Sequence, residues 1–302
     1  MNSFTIMIDT GCDLPQNYYD EHNIQTVPIP FNLDGVQHDG GRWQEITHEV
    51  FYKALHDGSI AGTALINPET FIEVFTEYAQ RGESLLLITL SSGLSGTYSN
   101  SVIALEDVKT KYPDCNIRMV DSLNATGGIG LLTILAVNKR GEGLSLDETA
   151  DWLQEKAHSC FALFTVDDLM FLHRGGRLSK VSAIAGKIIG IKPVLNVAPD
   201  GTLKLKDKAR GRKASLNMIA NQLVRSIKPG AALETVVICH GNCIDDAEIL
   251  AEIVKSKVNV GNIVILMMCP VIGAHAGPGT VALFFEADMT RVEYEKEFYP
   301  EK

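Results

Sequence analysis

An α/β fold in two parts is what the sequence predicts: a mostly parallel sheet with flanking helices over residues 1–158, then a second α/β layer over 159–302. Three observations carry this expectation. Short β-branched runs, FTIMIDT (4–10), SLLLITL (84–90) and NIRMVDS (116–122), alternate with amphipathic helical stretches. Each run ends in a polar loop, the pattern of βαβ units. Beyond Ser159 the grain changes to a hairpin and a second set of strands and helices, which places the boundary there.

The elements follow in order. NPETFIEVFTEYAQRG (67–82) reads as a helix, with Asn67 as N-cap, Pro68 in the first turn and Gly82 past the end. SGTYSNSVIALEDVKTKY (95–112) and GGIGLLTILAVNKRG (127–141) are two more. SLDETADWLQEKAHS (145–159) opens with Ser145 and Glu148 in capping-box spacing. KPVLNVAPDGTLKLKDK (192–208) predicts a hairpin turning at Pro199-Asp200-Gly201. A helix at 215–227, a strand TVVICHG (235–241), a further helix and strands at 262–268 and 281–287 complete the chain. Ligands in parallel sheets sit beyond the carboxyl ends of the strands, where the unusual loops of this chain fall.

Composition narrows the class. Of 302 residues, 45% are hydrophobic and 21% charged, enough for an ample core without staples. No apolar run approaches the roughly 18 residues of a membrane span. The opening MNSFTIMIDTGCDLP has neither a basic n-region nor a long apolar run, and Asp9 interrupts it, so no signal peptide is expected. Six cysteines without framework spacing point to a reducing cytoplasm. The net charge of −10 is uneven: Arg174 to Lys213 carries eleven Lys and Arg against two Asp, a local +9, leaving −19 elsewhere. That stretch reads either as a docking face for an anion or as a solvated surface.

Several motifs invite chemistry. NATGGIGLL is not a G-x-G-x-x-G fingerprint and no P-loop pattern occurs, so it reads as a tight strand-to-helix turn. GLSGT (93–97) nearly spells a nucleophile elbow, with Ser95 as nucleophile, His275 as base and Asp121 or Asp167 as orienting acid of an acyl hydrolase or acyltransferase. The flanking Ser91, Ser92, Thr97 and Ser99 favour a polyhydroxyl cradle for an anion at a helix start instead. CHGNC (239–243) is sterically awkward for one metal ion and reads as a strand end with buried cysteine. HRGGRLSK places Arg174, Arg177 and Lys180 around a double glycine, suited to a phosphate or a partner's carboxylates. No aromatic residue lies between Arg174 and Lys213, which disfavours a single-stranded nucleic-acid groove.

Taken in order, IDTGCDLP, LSSGLSGTYSNS, VDS with GGIG, VDDLMFLHRGGRLS, IKPVLNV and PVIGAHAGPG resemble the motifs of the DegV family of bacterial fatty-acid-binding proteins. The resemblance runs nearly end to end and implies a two-domain α/β DegV-like fold with a long-chain fatty acid buried between the domains. It implies that Thr63, Ser95 and His275 hold the carboxylate, with Ser92, Gly96 and Gly277 supporting the loops. It further implies a carrier rather than an enzyme by itself, the binding subunit of a fatty acid kinase. Arg177, Arg174 and Arg210 would then face the kinase or the transferring phosphate. Expected partners are the fatty acid and a fatty acid kinase catalytic subunit, with transient contact at a membrane surface. No nucleic acid, cofactor or metal is expected. The chain departs from the family pattern at Thr10, His38, Ala64 and Leu65.

Overall fold

The computed structural model describes residues 4–41, 46–178 and 190–300. Its first sheet is fully parallel, in the order β2-β1-β6-β7, built from β1 (Phe4–Asp9), β2 (Ile24–Val27), β6 (Ser84–Thr89) and β7 (Ile117–Asp121). The near-continuous apolar runs of β1 and β6 suit strands covered on both faces. Between them comes a small antiparallel sheet, β4-β3-β5, formed by β3 (Phe31–Leu33), β4 (Val36–His38) and β5 (Ala61–Thr63). Two helices, α1 (Gln16–Glu21) and α2 (His48–His56), belong to the same region.

The predicted caps are present. Asn67 accepts the Thr70 N–H at the start of α3 (Pro68–Arg81), and Gly82 ends it in the left-handed region, at φ 65°. The helix α4 spans Thr97–Lys111 and α5 spans Gly127–Gly141. The Ser145–Glu148 capping box opens α6 (Leu146–Lys156). At NATGGIGLL the glycines serve close packing: a Cβ on Gly127 would stand 2.7 Å from Val237 and 2.8 Å from the Cys239 sulfur. That is the tight turn the sequence predicts.

The second sheet is mixed, in the order β10-β9-β8-β13-β11-β12. Its strands are β8 (Cys160–Thr165), β9 (Ile191–Val197), β10 (Leu203–Arg210), β11 (Ala232–His240), β12 (Asn259–Met267) and β13 (Val281–Glu286). Strands β9 and β10 form the predicted hairpin. Side chains alternate across the sheet. Phe161, Leu163, Leu283 and Phe285 join an outer core under α8 (Arg212–Ser226), α9 (Ile244–Lys255) and α11 (Arg291–Phe298). Cys160, Ala162, Phe164, Ala282 and Phe284 join a larger core shared with the first sheet. The helix α5 lies between the two sheets, packing on β1 and β6 of one and β8, β11 and β13 of the other.

Two short helices remain. One is α7 (Met170–Arg174), and the other is α10 (Pro270–Ala276), which packs on α7, β5 and α2. Chain from the second half thus returns to cover the first.

Candidate functional site

At the carboxyl ends of the parallel strands, against the inner face of the second sheet, lies a cavity with about 750 Å³ of empty space. Leu90 follows β6, Ala125 and Thr126 follow β7, and Ile29 follows β2; the opposite wall is Ala162, Phe164, Ala282 and Phe284. Most of the lining is apolar, in the size range of small-molecule sites. The polar side chains that line it include Thr63, Ser95, Arg177 and His275.

Each arrives from a different element. Thr63 ends β5, whose pairing with β3 puts Thr63 opposite Phe31. Ser95 precedes α4; its hydroxyl pairs with the Thr97 hydroxyl at 2.9 Å and accepts the Thr97 N–H at 3.3 Å. His275 lies in the last turn of α10, with Nε2 at 2.8 Å from the Thr63 hydroxyl. Arg177 donates from Nε to the Leu94 carbonyl at 2.9 Å and from Nη1 to the Gly175 carbonyl at 2.5 Å. The motif residues Thr63, Ser95 and His275, scattered over the chain, therefore face one enclosure.

The imidazole is held neutral. Burial, then the nearby Arg177 guanidinium, depresses its pKa to about 4. Its Nδ1 is buried with no hydrogen-bond partner. A buried N–H without an acceptor is rarer than an idle lone pair, so the proton belongs on Nε2, donated to Thr63. Burial also lowers the pKa of the half-buried Arg177.

Gly175 makes room for the ring. A Cβ there would overlap His275 Nδ1, although the backbone itself is ordinary at φ −69°. Gly175→Ala should displace the imidazole, break its bond to Thr63 and cost about 1–3 kcal/mol in stability, read by denaturant unfolding. An unchanged midpoint would show that the ring moves aside without loss. Gly277, at φ 79°, has the same kind of role: a Cβ would stand 2.6 Å from the Phe171 ring. Phe171 in turn carries the Arg174 guanidinium at 4.6 Å.

The depressed pKa also predicts a pH dependence. The fold accommodates the neutral ring, so this contribution is full above the unfolded value of 6.5 and is lost as pH falls towards about 4. Burial raises Asp9 and Asp13 to about 6, and they act in the opposite sense. The difference between wild type and His275→Gln isolates the histidine. The variant should lose less stability than wild type between those pH values, and parallel curves would place the ring in solvent.

A second hollow, of about 640 Å³, shares Thr63, Arg177 and His275 with the first and is edged by Arg174, Phe171 and Ile60. The polar end of the apolar cavity thus adjoins a basic mouth.

The other expected residues fall differently. The triad does not assemble. Asp121 accepts the Ser92 and Leu123 N–H groups at 3.1 and 3.0 Å, while Asp167 pairs with Lys192 at 2.5 Å and with Arg212. Neither carboxylate meets His275. Ser91, rather than the exposed Ser92, braces the loop: its hydroxyl donates to the Gly201 carbonyl at 2.9 Å and accepts the Gly93 N–H at 3.1 Å. The hairpin turn packs so closely here that a Cβ on Gly93 would stand 2.6 Å from the Asp200 carbonyl oxygen. Gly96 is the N-cap residue of α4 and faces Leu65.

Arg210, exposed near the end of β10, lines neither hollow. The basic stretch is not one free face, because Arg212 also pairs with Asp246 at 3.1 Å and Lys206 pairs with Glu295. Lys180 lies outside the described residues. In CHGNC, His240 Nδ1 accepts the Cys243 N–H at 3.1 Å, which occupies that lone pair within the loop. No cluster with metal-ligand character occurs among the described residues, and no helix among them is long and apolar enough to cross a membrane.

The departures from the family pattern are accommodated. The Thr10 hydroxyl accepts the Ile29 N–H at 2.8 Å, His38 stacks on Phe31 at 4.8 Å, and Ala64 adds apolar surface to the cavity.

Comparison with known proteins shows the family and the fold. A family model described as "Uncharacterised protein, DegV family" matches residues 3–288. A DegV domain-containing protein of Clostridium perfringens is 39% identical over 289 residues, covering 95% of this chain and 99% of its own. A DegV family protein of Thermus thermophilus, described for its fatty acid binding, aligns with a TM-score of 0.83 at 26% identity, over 94% of this chain and 99% of that one. The fold is shared too with the fatty acid kinase B3 protein of Streptococcus pneumoniae, loaded with linoleic acid, at a TM-score of 0.79 and 22% identity over 95% and 100% of the two chains. A model match over almost the whole length, with the six motifs in order, makes the chain a member of the DegV family.

Proposed function

We propose that this protein binds a long-chain fatty acid in the cavity between its two sheets and presents the carboxyl end to a separate kinase that makes the acyl phosphate. The observation that carries the reading is one apolar enclosure lined by Thr63, Ser95 and His275, with Arg177 beside them. A carboxylate taken from water needs several donors, since an unpaired buried charge is very costly. The neutral imidazole donates through Nε2 to the Thr63 hydroxyl, whose own proton then turns to the carboxylate. The Ser95 hydroxyl supplies a second donor, and the Arg177 guanidinium adds charge. The acyl chain contributes about 0.8 kcal/mol per buried methylene, on the order of 10 kcal/mol for a palmitoyl chain before ordering costs. The adjoining mouth, with Arg174 on its rim, supports phosphate or partner contact there.

Native mass spectrometry of the purified protein, with lipid extraction, tests the reading. A stoichiometric long-chain acid is expected, convertible to acyl phosphate when a kinase subunit and ATP are added. Ser95→Ala should weaken it by about 10- to 100-fold, the worth of one hydrogen bond to a charged group, and His275→Ala, which releases the Thr63 hydroxyl from its orienting donor, should weaken it as well. A protein that stays empty when offered a panel of fatty acids overturns the proposal.

A further inference from the structure

One buried carboxylate ties the helix that carries His275 to the first half of the chain. Asp13, in the loop after β1, is 6% exposed. Its Oδ1 accepts the N–H of Cys269 at 2.9 Å, and Cys269 is the N-cap residue of α10. No side chain of α10 caps its own start, and its first residue, Pro270, has no N–H to offer. Asp13 therefore supplies from the opposite half of the chain what the helix lacks.

The second oxygen, Oδ2, has no hydrogen-bond partner at bonding geometry, although the Thr126 hydroxyl and the Cys239 and Cys269 thiols stand beside the carboxylate. Thr126 sits at φ 48° and ψ −119°, a conformation that β-branched residues rarely adopt. Its N–H donates to the Gly11 carbonyl at 2.9 Å, so its backbone leans on the loop that carries Asp13. Thr126 lines the apolar cavity, and α10 delivers His275 to its polar end.

We propose that Asp13 is a positioning residue of the head-group site: it holds α10 where His275 meets Thr63. The entry to α10 has two further ties, Tyr52 donating to the Met268 carbonyl at 3.2 Å and Met268 N–H donating to the His240 carbonyl at 2.9 Å. Asp13 is the ionisable side chain among these ties that reaches the cap residue itself. The titratable groups around it are Asp9 at the end of β1, Cys12 of its own loop, Tyr19 of α1, Tyr52 of α2, Cys239 of β11 and Cys269. Burial raises the pKa of every one of them, so each stays protonated at neutral pH except Asp9.

The inference rests on the fatty-acid reading only for the ligand that reports it. Wild type, Asp13→Ala and Asp13→Asn are compared for binding of hexadecanoic acid and of hexadecanol, which has the same chain and no carboxylate. Asp13→Ala should weaken the acid about tenfold or more and the alcohol by no more than about twofold, because a charged carboxylate loses far more than a neutral hydroxyl when Thr63 and His275 are displaced. Asp13→Asn keeps an acceptor for the Cys269 N–H and should restore most of the acid's affinity. In ligand-free protein, the ring-nitrogen NMR signals of His275 should move in Asp13→Ala and return in Asp13→Asn.

Equal losses for acid and alcohol, or unmoved His275 signals, overturn the proposal. If the alanine variant does not fold, Asp13→Ser, too short to reach Cys269, serves in its place. A wild type that binds neither probe would end the fatty-acid reading, while the His275 signals would still decide the role of Asp13.

Discussion

Replacing Arg291 by methionine is expected to destabilise the protein by about 3 kcal/mol or more, the largest stability effect foreseen for any single substitution here. Arg291, the first residue of α11, is 2% exposed. Its guanidinium donates to the Leu123 carbonyl at 2.9 Å, the Ala157 carbonyl at 2.8 Å and the Ala198 carbonyl at 3.2 Å. Those carbonyls end three separate segments: the loop after β7, the end of α6 and the loop after β9. Methionine matches the volume of the stem and takes the guanidinium donors from the Leu123 and Ala157 carbonyls in a dry place, while the Ala198 carbonyl keeps the Gly201 N–H at 2.9 Å. Burial lowers the arginine pKa to about 10, so the group remains charged at neutral pH and its removal is not offset by a change of protonation. Denaturant unfolding gives the number. A loss below about 1 kcal/mol would mean that water reaches the Leu123 and Ala157 carbonyls and replaces the donors.

Ala162→Phe is expected to weaken binding of long acyl chains roughly 100-fold while leaving the fold intact. On the inner face of the second sheet, Ala162 pairs with Phe284 and Phe164 pairs with Ala282. Small residues thus alternate with large ones, and the alanines leave a trough that belongs to the cavity. A phenyl ring in that trough would displace about four methylenes of a bound chain. At about 0.8 kcal/mol each, the loss is about 3 kcal/mol, or roughly 100-fold in affinity. Octanoic acid, which need not reach the trough, should lose much less. Competition against a fluorescent fatty acid measures both. Equal affinity of wild type and variant for hexadecanoic acid would place the chain elsewhere.

Much of the framework was readable because its causes are local. The caps at Asn67 and Gly82 and the box at Ser145 and Glu148 need only neighbours within a turn. The turn at Pro199-Asp200-Gly201 likewise carries its geometry in its residues. Strands β3, β4 and β5 were not readable: at three residues each they are too short to show a period, and they exist because they pair with one another. Helix α2 carried local signals, Thr47 as cap and Phe51, Tyr52 and Leu55 on one face, that the sequence reading passed over, whereas the clamp at Arg291 left no mark. An arginine that satisfies three carbonyls looks, in one dimension, like any other arginine.

Thr63, Ser95 and His275 were legible as motif positions, and the sequence by itself held the expectation that a hydroxyl-rich loop and a histidine among small residues would suit an anion. Whether they share one cavity depended on β5, the start of α4 and the end of α10 converging on it. The same distance from local cause explains why Ser91 rather than Ser92 braces the loop, since the carbonyl it reaches belongs to Gly201. It explains why Gly175 is required, since the obstacle is a ring from a helix far along the chain. It explains, too, why the basic stretch is partly spent on Asp167, Asp246 and Glu295. Periodicity and capping are set by residues within a few positions of one another, and the sequence determined those. Charge pairing, burial and the shape of the cavity are set by residues that meet only after the sheets close over α5, and the tertiary structure decided those.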